Sequence, residues 1–569
     1  MLRLPADVLA LICEELGNRQ DFGVLFSCAL AGKSLMHPAL RWLYRIHNQS
    51  PIITSEGNDA PWTSSQDLTF DDRRDVQRNT VAKWALMWKS IIGSSLEDTA
   101  YPYCLYIRVL DLRNLSDLLN DPVFHNVALD SFFDGDMAQF LNGQDRPVKK
   151  KTRLSKTTYT RLNVPLILDA IGEAITGFVS QAASESKTTV ALEDLSGDIN
   201  ASALPIWVGR LSKLKSMTLW DGSVLDKNVA MSIADKCPNF DDLTFYFCPP
   251  LQNIDQRLAS FFSGLRVNSL RSFSALGAAA IGPETLLSLN RHAKSLRMLK
   301  LDGLKADAIK NLSLLKDCDA LEIIDLHDAE GRINLEITEN VVFLDVVEWL
   351  GRCKCLRDLQ FAALVSAPEI ARQICLRDDI RLQRLVVHEY PLLNNQEFHK
   401  ALLHQTSLES LDLKADPEGA FGDDINNLVE SICHLTKLKD LKLISTSDYF
   451  KSREIIRIAT HLPALQEFWF TGYEVTDDIW PAMSGLHDLR TLNILAVTSF
   501  SSNGILNFIS TLRDSNRGLN LAILAQNPAN KITGREQANI EQSLMKKVDG
   551  KFEFAPYREG DSDSESLSD

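Results

Sequence analysis

Hydrophobic and polar positions alternate in one motif that recurs through most of the chain. The motif is L-x-x-L-x-L in a broad sense, and ten intervals between residues 214 and 489 average 27.5 residues. Its alternating part predicts a short strand with one buried face, and the segment that follows predicts a helix. Neither element can bury its apolar side until the next repeat stacks on it. The repeats begin at Leu214, Phe240, Leu270, Leu296, Leu321, Leu356, Leu382, Leu408, Leu438, Leu465 and Leu489.

Weaker matches extend this pattern in both directions. Residues 107–112 predict a first strand, 164–179 an amphipathic helix and 190–192 a weak strand. Leu521 and Ile523 predict one last strand. We therefore expect a repeat domain over 81–555, with an insertion near 133–160 and a disordered, acidic, serine-rich tail at 556–569.

The repeats resemble leucine-rich repeats of the long, helix-containing kind. The likeness is clearest at Cys237-Pro238-Asn239-Phe240 and between Leu486 and Ile494. It implies an α/β fold, a curved right-handed solenoid with a parallel sheet on the concave face and helices on the convex face.

The N-terminal segment predicts three short helices that are too apolar to stand alone. Leu4 to Leu16 has helical spacing with Pro5 in the first turn, 22–31 forms a second apolar stretch, and a third follows Pro38. About 45 residues cannot cover such helices on two sides. We expect the segment to be half of an interface, followed by a polar linker over 47–80.

These residues resemble an F-box over positions 1–46. Leu4-Pro5-Ala6-Asp7-Val8-Leu9 matches the opening of that family's pattern, Ser27-Cys28-Ala29-Leu30 and Lys33 follow in order, and Trp42 and Tyr44 lie in the closing region. The chain departs from the pattern at Leu35, where the family often has Trp. The resemblance implies docking on a Skp-type adaptor through Leu4, Pro5, Val8, Leu9, Ile12, Leu16, Phe22, Leu25 and Leu30.

Composition narrows the classes of function. The formal net charge of −15 argues against non-specific binding to nucleic acid or to an acidic membrane surface. No stretch approaches the roughly 18 consecutive apolar residues of a membrane span, and acidic residues interrupt the N-terminus where a secretory signal would be apolar. Ten scattered cysteines are too few for a disulfide framework. We expect a soluble cytoplasmic or nuclear protein.

Short motifs give no sign of catalysis. Gly32-Lys33-Ser34 resembles the end of a phosphate-binding loop, but it lacks the earlier glycine and follows a helix. Cys353-x-Cys355 and Cys433-His434 have no second pair at zinc spacing, and buried thiols in repeat turns explain them better. We expect no cofactor, no metal and no enzyme activity. A basic run over 146–156 fits a nuclear import signal, a contact for an acidic partner or, more simply, a solvated loop.

The concave face of the sheet is the expected recruitment surface. Residues between and beside the strand leucines point away from the core, and Trp, Tyr and Arg are enriched at binding hot spots. Any one of these residues could equally be ordinary surface, so only the set carries the prediction. The set is Trp220, Tyr246, Lys300, Asp302, Asp325, His327, Arg384, His388, Asp412, Lys414, Lys442 and Trp469.

The two resemblances together imply a non-catalytic substrate receptor of a Skp-cullin-F-box ubiquitin ligase. Its expected partners are the Skp-type adaptor, cullin through that adaptor, and an unidentified protein substrate, with no nucleic acid and no membrane. The alternative is a ligase-independent scaffold or inhibitor, in which the N-terminal helices merely cap the repeats. An enzyme assembled from dispersed residues is a distant third.

Overall fold

The structure is a computed structural model that describes residues 5–53, 70–141, 162–187, 190–277, 280–419, 422–525 and 532–556. It divides into two compact units, an N-terminal unit of residues 1–277 and a C-terminal unit of residues 278–569. Both have the predicted architecture, in which parallel strands alternate with helices along the chain.

The N-terminal unit contains five strands that pair in sequence order, all parallel. They are β1 (Val109–Asp111), β2 (Asp194–Gly197), β3 (Ser216–Asp221), β4 (Asp242–Phe247) and β5 (Ser272–Ala275). Its helices are α1 (Ala6–Asn18), α2 (Phe22–Ala31), α3 (Lys33–Arg45), α4 (Phe70–Ser95), α5 (Leu112–Asn120), α6 (Pro122–Val127), α7 (Leu129–Phe132), α8 (Val164–Glu185), α9 (Leu204–Arg210), α10 (Lys227–Lys236) and α11 (Ile254–Gly264). Its 3-10 turns are His47–Gln49, Tyr103–Leu105, Gly135–Leu141 and Gly222–Val224.

The C-terminal unit contains ten strands, again parallel and paired in sequence order. They are β6 (Met298–Leu304), β7 (Ile323–Asp328), β8 (Asp358–Ala362), β9 (Arg384–Pro391), β10 (Ser410–Asp416), β11 (Asp440–Ile444), β12 (Glu467–Val475), β13 (Thr491–Thr498), β14 (Asn520–Ala525) and β15 (Lys551–Pro556).

The helices of the C-terminal unit follow its strands one repeat at a time. They are α12 (Pro283–Leu289), α13 (Ala306–Ile309), α14 (Leu335–Thr338), α15 (Asn340–Arg352), α16 (Ala367–Cys375), α17 (Gln396–Ala401), α18 (Gly422–Cys433), α19 (Ser452–His461), α20 (Trp480–Met483), α21 (Ser502–Thr511) and α22 (Gly534–Val548). Its 3-10 turns are Asn290–His292, Leu312–Leu315, Leu402–His404, Asp477–Ile479 and Asp514–Asn516.

The repeat leucines explain where the strands form. Each of the eleven predicted repeat positions is at most 1% exposed, and the strand begins two residues later in every case. Fully burying a leucine contributes about 1.5–3 kcal/mol, so a regular series of such residues fixes the register of the strands. The predicted α/β leucine-rich-repeat fold is confirmed.

Several boundaries differ from the predictions. The strand expected at 190–192 lies at Asp194–Gly197, and β15 is an additional last strand. The region predicted as a polar linker over 47–80 includes the 3-10 turn His47–Gln49 and the first part of α4. Residues 74–76, 78 and 79 in this part of α4 are exposed, and all but Val76 are polar. The apolar periodicity of the helix is therefore visible in the sequence only from Val81. Residues 142–160 of the predicted insertion and 557–569 of the predicted tail lie outside the described residues.

Buried side chains join successive repeats at the turns before several of the strands. The Cys237 thiol contacts the carbonyl oxygens of Val208 and Leu211, and the Cys353 thiol that of Cys318. Cys353 and Cys433 are buried, as expected for thiols in repeat turns, whereas Cys355 is exposed. Burial raises the pKa of Cys237, Cys318 and Cys353 to about 12, so these thiols stay protonated.

Candidate functional site

The first three helices form a small bundle with its own core. Leu25 and Ala29 of α2 pack with Cys13 of α1, Ala39 of α3 and Ile46. The carboxylate of Asp21 caps α2 by accepting a hydrogen bond from the backbone N–H of Val24 at 3.1 Å. The bundle therefore covers one side of each apolar helix by itself.

The other side of α1 and α2 is apolar and uncovered. Leu11 is 62% exposed, Phe26 is 59% and Leu30 is 73%. Monomeric proteins rarely leave several large apolar side chains exposed together unless the surface binds something. We name the exposed large apolar residues of α1 and α2 the outer apolar surface: Val8, Leu11, Ile12, Val24, Phe26 and Leu30.

The residues predicted to dock on an adaptor separate into four groups. Leu4 lies outside the described residues, and Leu9 and Leu25 are buried in this structure. Leu16 and Phe22 are half-buried against the bundle core. Pro5, Val8, Ile12 and Leu30 are exposed. The prediction omitted Leu11 and Phe26, although both are exposed.

Helix α3 contacts the repeats. The hydroxyl groups of Tyr44 and Ser90 hydrogen-bond at 2.7 Å, and the rings of Tyr44 and Tyr103 stack with centroids 4.4 Å apart. His47 meets Trp88 edge to face at 5.9 Å. These contacts place the bundle directly against α4 and the turn that precedes β1. The bundle is thus attached to the first repeat, as the alternative capping role requires.

The sheet face of the N-terminal unit that points away from the helices carries carboxylates, hydroxyl groups and two aromatic side chains at its outward positions. We call its outward positions the N-terminal open face: Val109, Asp111, Asp194, Ser196, Ser216, Thr218, Trp220, Asp242, Thr244, Tyr246, Ser272 and Ser274. Hydroxyl groups donate to Asp194, from Ser196 and Ser216 at 3.3 Å each. None of these twelve positions is Lys or Arg.

The pKa values of Asp194 and Asp242 reflect their burial and the charges near them. Burial raises the pKa of Asp194, and repulsion from Asp111 and Asp242 raises it further, against the lowering effect of its serine partners. Burial likewise raises the pKa of Asp242, with Asp241 adding repulsion. Arg45, Arg108 and Lys215 line the same recess as Asp194 and Ser216, so cations from neighbouring segments lie beside the Asp194 carboxylate.

Aromatic side chains lie beside these carboxylates. The rings of Trp220 and Tyr246 have centroids 5.6 Å apart, and Trp220 is 51% exposed. The guanidinium of Arg113, at the start of α5, donates to the Tyr246 hydroxyl at 3.1 Å. Sequence reasoning missed Arg113, Asp111, Asp194 and Asp242; the outward alternation of β1, β2 and β4 could have found the three aspartates.

The predicted residues in the C-terminal unit also lie at outward positions, but most of their charges are paired. Lys300, Asp302, Asp325, His327, Arg384, His388, Asp412, Lys414, Lys442 and Trp469 are all half-buried or exposed. His327 hydrogen-bonds to Asp302, and His388 Nε2 lies 2.9 Å from Asp412 Oδ1. Lys442 lies 5.1 Å from the centre of the Trp469 ring. The charged side chains of this face therefore largely neutralise one another.

No metal site emerges from the described residues. No group of three or more His, Cys, Asp or Glu side chains among them is placed to hold a metal ion. One described helix, α8, is long and apolar enough to cross a membrane by length and composition. Its apolar residues Ile167, Ile171 and Ile175 are fully buried in the unit, as in the core helix of a globular domain.

No family model matches the sequence, and no curated protein matches it. Among solved structures, the chain is similar to Rad7 and Elc1 from yeast, at 16% identity over 62% of this chain and 85% of that chain, with a TM-score of 0.35.

Two bacterial structures are also similar. An internalin (inlF) from Listeria monocytogenes matches at 13% identity over 54% of this chain and 87% of that chain, with a TM-score of 0.31. The leucine-rich repeat-containing protein LegL7 from Legionella pneumophila matches at 12% identity over 56% of this chain and 97% of that chain, with a TM-score of 0.30. Similarities this low add nothing to the fold that the repeats themselves define.

Proposed function

We propose that this chain is a non-catalytic substrate receptor of a Skp-cullin-F-box ubiquitin ligase, acting in the cytoplasm or nucleus. The outer apolar surface of α1 and α2 docks on a Skp-type adaptor, and the open faces of the repeats hold a protein substrate. Catalysis is supplied by other subunits, and the receptor contributes by keeping the substrate close to them.

The observation that carries the proposal is the uncovered apolar side of α1 and α2. A helical bundle that served only as a cap would bury apolar residues towards the repeats and present polar residues to water. Here Leu11 and Leu30 remain well exposed although Tyr44 of α3 already hydrogen-bonds to Ser90 of α4. One side of the bundle is therefore attached to the repeats while another is left for a partner.

The contacts of α3 support a rigid link between the two binding regions. Besides the hydrogen bond and ring stack of Tyr44, the Tyr101 hydroxyl contacts the Met36 sulfur at 3.5 Å. A rigid link holds a substrate at a fixed distance from the adaptor, which increases the effective concentration of the substrate at the catalytic subunit.

The test is capture of a Skp-type adaptor by the full-length protein. We expect Leu11→Asp combined with Phe26→Asp to abolish capture, because a buried unpaired carboxylate disrupts an apolar interface. Both side chains point to solvent, so the bundle should keep its fold. Leu86→Asp is the matched control, since Leu86 is a 66% exposed leucine on α4 of the same unit.

Two results would contradict the proposal. One is capture by the double variant at the level of the unmodified protein; the other is failure of the unmodified protein to bind any Skp-type adaptor. The second result would favour the ligase-independent scaffold, for which the attachment of α3 to α4 is the supporting observation. In that case the bundle is a cap, and the repeats bind their partner alone.

A further inference from the structure

We infer that the outer edge of β15 is a dimerisation surface, on which β15 of a second copy of this chain pairs antiparallel about a two-fold axis. The partner is therefore another molecule of the same protein, and the paired strands connect two sheets edge to edge. The inference goes beyond adaptor docking and substrate binding and does not depend on either.

The apolar core of the C-terminal unit is open at β15. Phe552 and Phe554 occupy the inward positions of this strand, in register with Leu521 and Ile523 of β14. Leu521 and Ile523 are fully buried, whereas both phenylalanines are half-buried, and their rings stack with centroids 6.4 Å apart. A repeat buries its apolar side only when another layer stacks on it. The two rings therefore lack the cover that β15 itself gives to β14.

The backbone of β15 also has a free edge. Among the described residues, β15 pairs with β14 alone. The Lys551 N–H donates to the Leu519 carbonyl oxygen at 2.9 Å, so Lys551 directs its backbone groups towards β14. Successive residues of a strand direct these groups to opposite edges, and the N–H and C=O groups of Phe552 and Phe554 therefore point outward from the sheet. Such an edge is a template for another strand.

The outward side chains of β15 indicate which strand fits this edge. Lys551 and Glu553 are exposed and opposite in sign. When two copies pair antiparallel with Phe552 opposite Phe552, Lys551 of each copy lies opposite Glu553 of the other. The backbone direction makes this a non-hydrogen-bonded pair, in which the Cα atoms approach to about 4.5 Å and the side chains are closest. The two-fold axis forms two such ion pairs at once.

The neighbouring register is unfavourable. Sliding one strand by two residues places Glu553 opposite Glu553 at the same close separation, and like charges opposite one another destabilise a sheet. In the favoured register Phe554 lies opposite Gly550, and an aromatic ring is a suitable cross-strand cover for a glycine. A lysine commonly protects an edge strand from association. Here Glu553 makes the same edge complementary to itself.

The segment that follows β15 is the other candidate occupant. Residues 557–569 have Tyr557 and Leu567 as their only large apolar side chains. A strand that covered Phe552 and Phe554 would need apolar residues at alternate positions. The sequence of this segment therefore favours a second copy as the occupant of the edge.

Sedimentation velocity of the purified full-length protein at increasing concentration measures the monomer–dimer equilibrium. The variant Leu11→Asp with Phe26→Asp is measured beside the unmodified protein, because the outer apolar surface is a second place for self-association. We expect both proteins to form dimers with the same dissociation constant. A protein that stays monomeric at every concentration, or dimers that disappear in this variant, would contradict the inference. No adaptor is present, so adaptor capture and dimerisation can fail independently.

Charge reversal localises the dimer to β15. Lys551→Glu or Glu553→Lys alone places like charges opposite each other at two positions and should weaken dimerisation about tenfold or more. The two changes combined recreate both ion pairs and should restore the dissociation constant. A mixture of the two single variants should also dimerise, because each supplies the charge that the other needs. Both positions are exposed, so each variant should keep the fold.

Lys437→Glu is the matched control. Lys437 is exposed on the turn before β11, and its reversal changes the net charge of the chain as much as Lys551→Glu does. We expect it to leave dimerisation unchanged. Equal weakening by Lys437→Glu, or a combined variant that does not recover, would overturn the inference.

Deletion of 557–569 distinguishes the two candidate occupants. The shortened protein should dimerise as the full-length protein does. Loss of the dimer would show that the deleted segment forms the contact. Dimerisation strengthened about tenfold or more would show that this segment competes for the edge of β15. Either result would make the assignment to β15 of a second copy wrong.

Discussion

At the scale of single residues, the sequence predicted which side chains point outward but not what they contact. Trp220 and Tyr246 were assigned to the open face by two-residue alternation alone, and both lie there. Their contact with Arg113 joins residues 133 positions apart. No pattern in the sequence encodes such a distance, so the cluster became visible only in the folded chain.

Gly17 is the residue at which close packing leaves no room for a side chain. A Cβ atom there would lie 2.5 Å from the Trp42 ring, which packs on α1 from α3. We expect Gly17→Ala to destabilise the bundle by about 1–3 kcal/mol, the usual cost of overpacking.

Chemical denaturation followed by tryptophan fluorescence measures this effect. Gly23→Ala is the control, because a Cβ at this helical position meets only an Asp21 oxygen at 4.0 Å. The control should be neutral or slightly stabilising. Equal stability of the two variants would mean that Trp42 moves aside at no cost.

At the scale of elements, the repeat period located eleven strands because every repeat obeys the same burial rule. The exceptions share a cause. β2 and the start of α4 lie in segments whose apolar residues do not show the repeat spacing, so tertiary pairing rather than local pattern fixed them. The burial of Leu9 and Leu25 is a second example. Helical spacing predicts that these residues face an apolar partner, but it does not show which partner covers them.

Gln405 shows how buried side-chain hydrogen bonds join neighbouring repeats. Its side chain accepts a hydrogen bond from the Leu382 N–H at 2.9 Å and donates to the carbonyl oxygens of Cys375 and Ile380 at 3.0 and 3.1 Å. Gln405→Leu leaves three buried backbone groups unpaired, at about 1–3 kcal/mol each.

We expect a loss of several kcal/mol in the free energy of unfolding, measured by urea titration. Ser407→Ala, which removes a single bond to the Leu382 carbonyl oxygen, should cost about 1 kcal/mol. A Gln405→Leu variant as stable as Ser407→Ala would show that water replaces the lost partners.

At the scale of the whole molecule, attachment of the bundle to the repeats depends on a neutral histidine. Burial lowers the pKa of His47 to about 4, partly offset by its hydrogen bond with the Tyr44 carbonyl oxygen. Its Nε2 atom is buried without a partner among the described residues. Protonation would therefore place an unpaired charge between α3 and Trp88.

The sign of the pH effect follows from this shift. Because the folded-state pKa lies below the ordinary value of about 6.5, the unfolded chain binds the proton more readily. The contribution of neutral His47 is complete above pH 6.5 and decreases as the pH falls towards 4, by up to about 3 kcal/mol.

We expect His47→Gln to reduce the loss of stability between pH 7 and pH 5, as measured by denaturant midpoints at each pH. His37→Gln is the control, because His37 is exposed on α3. An unchanged pH dependence in the His47 variant would show that the junction tolerates the charge.

The sequence by itself determined the repeating strand and helix units, the outward and inward sides of each strand, and the presence of an apolar N-terminal segment. These properties depend on short-range periodicity, and the same periodicity occurs in each repeat. Tertiary structure decided which apolar side chains the bundle keeps for its own core, how α3 attaches to the repeats, and which polar partners the outward aspartates meet. Those outcomes depend on contacts between residues far apart in the chain. Burial and charge pairing contribute free energy there only when the fold brings these residues together.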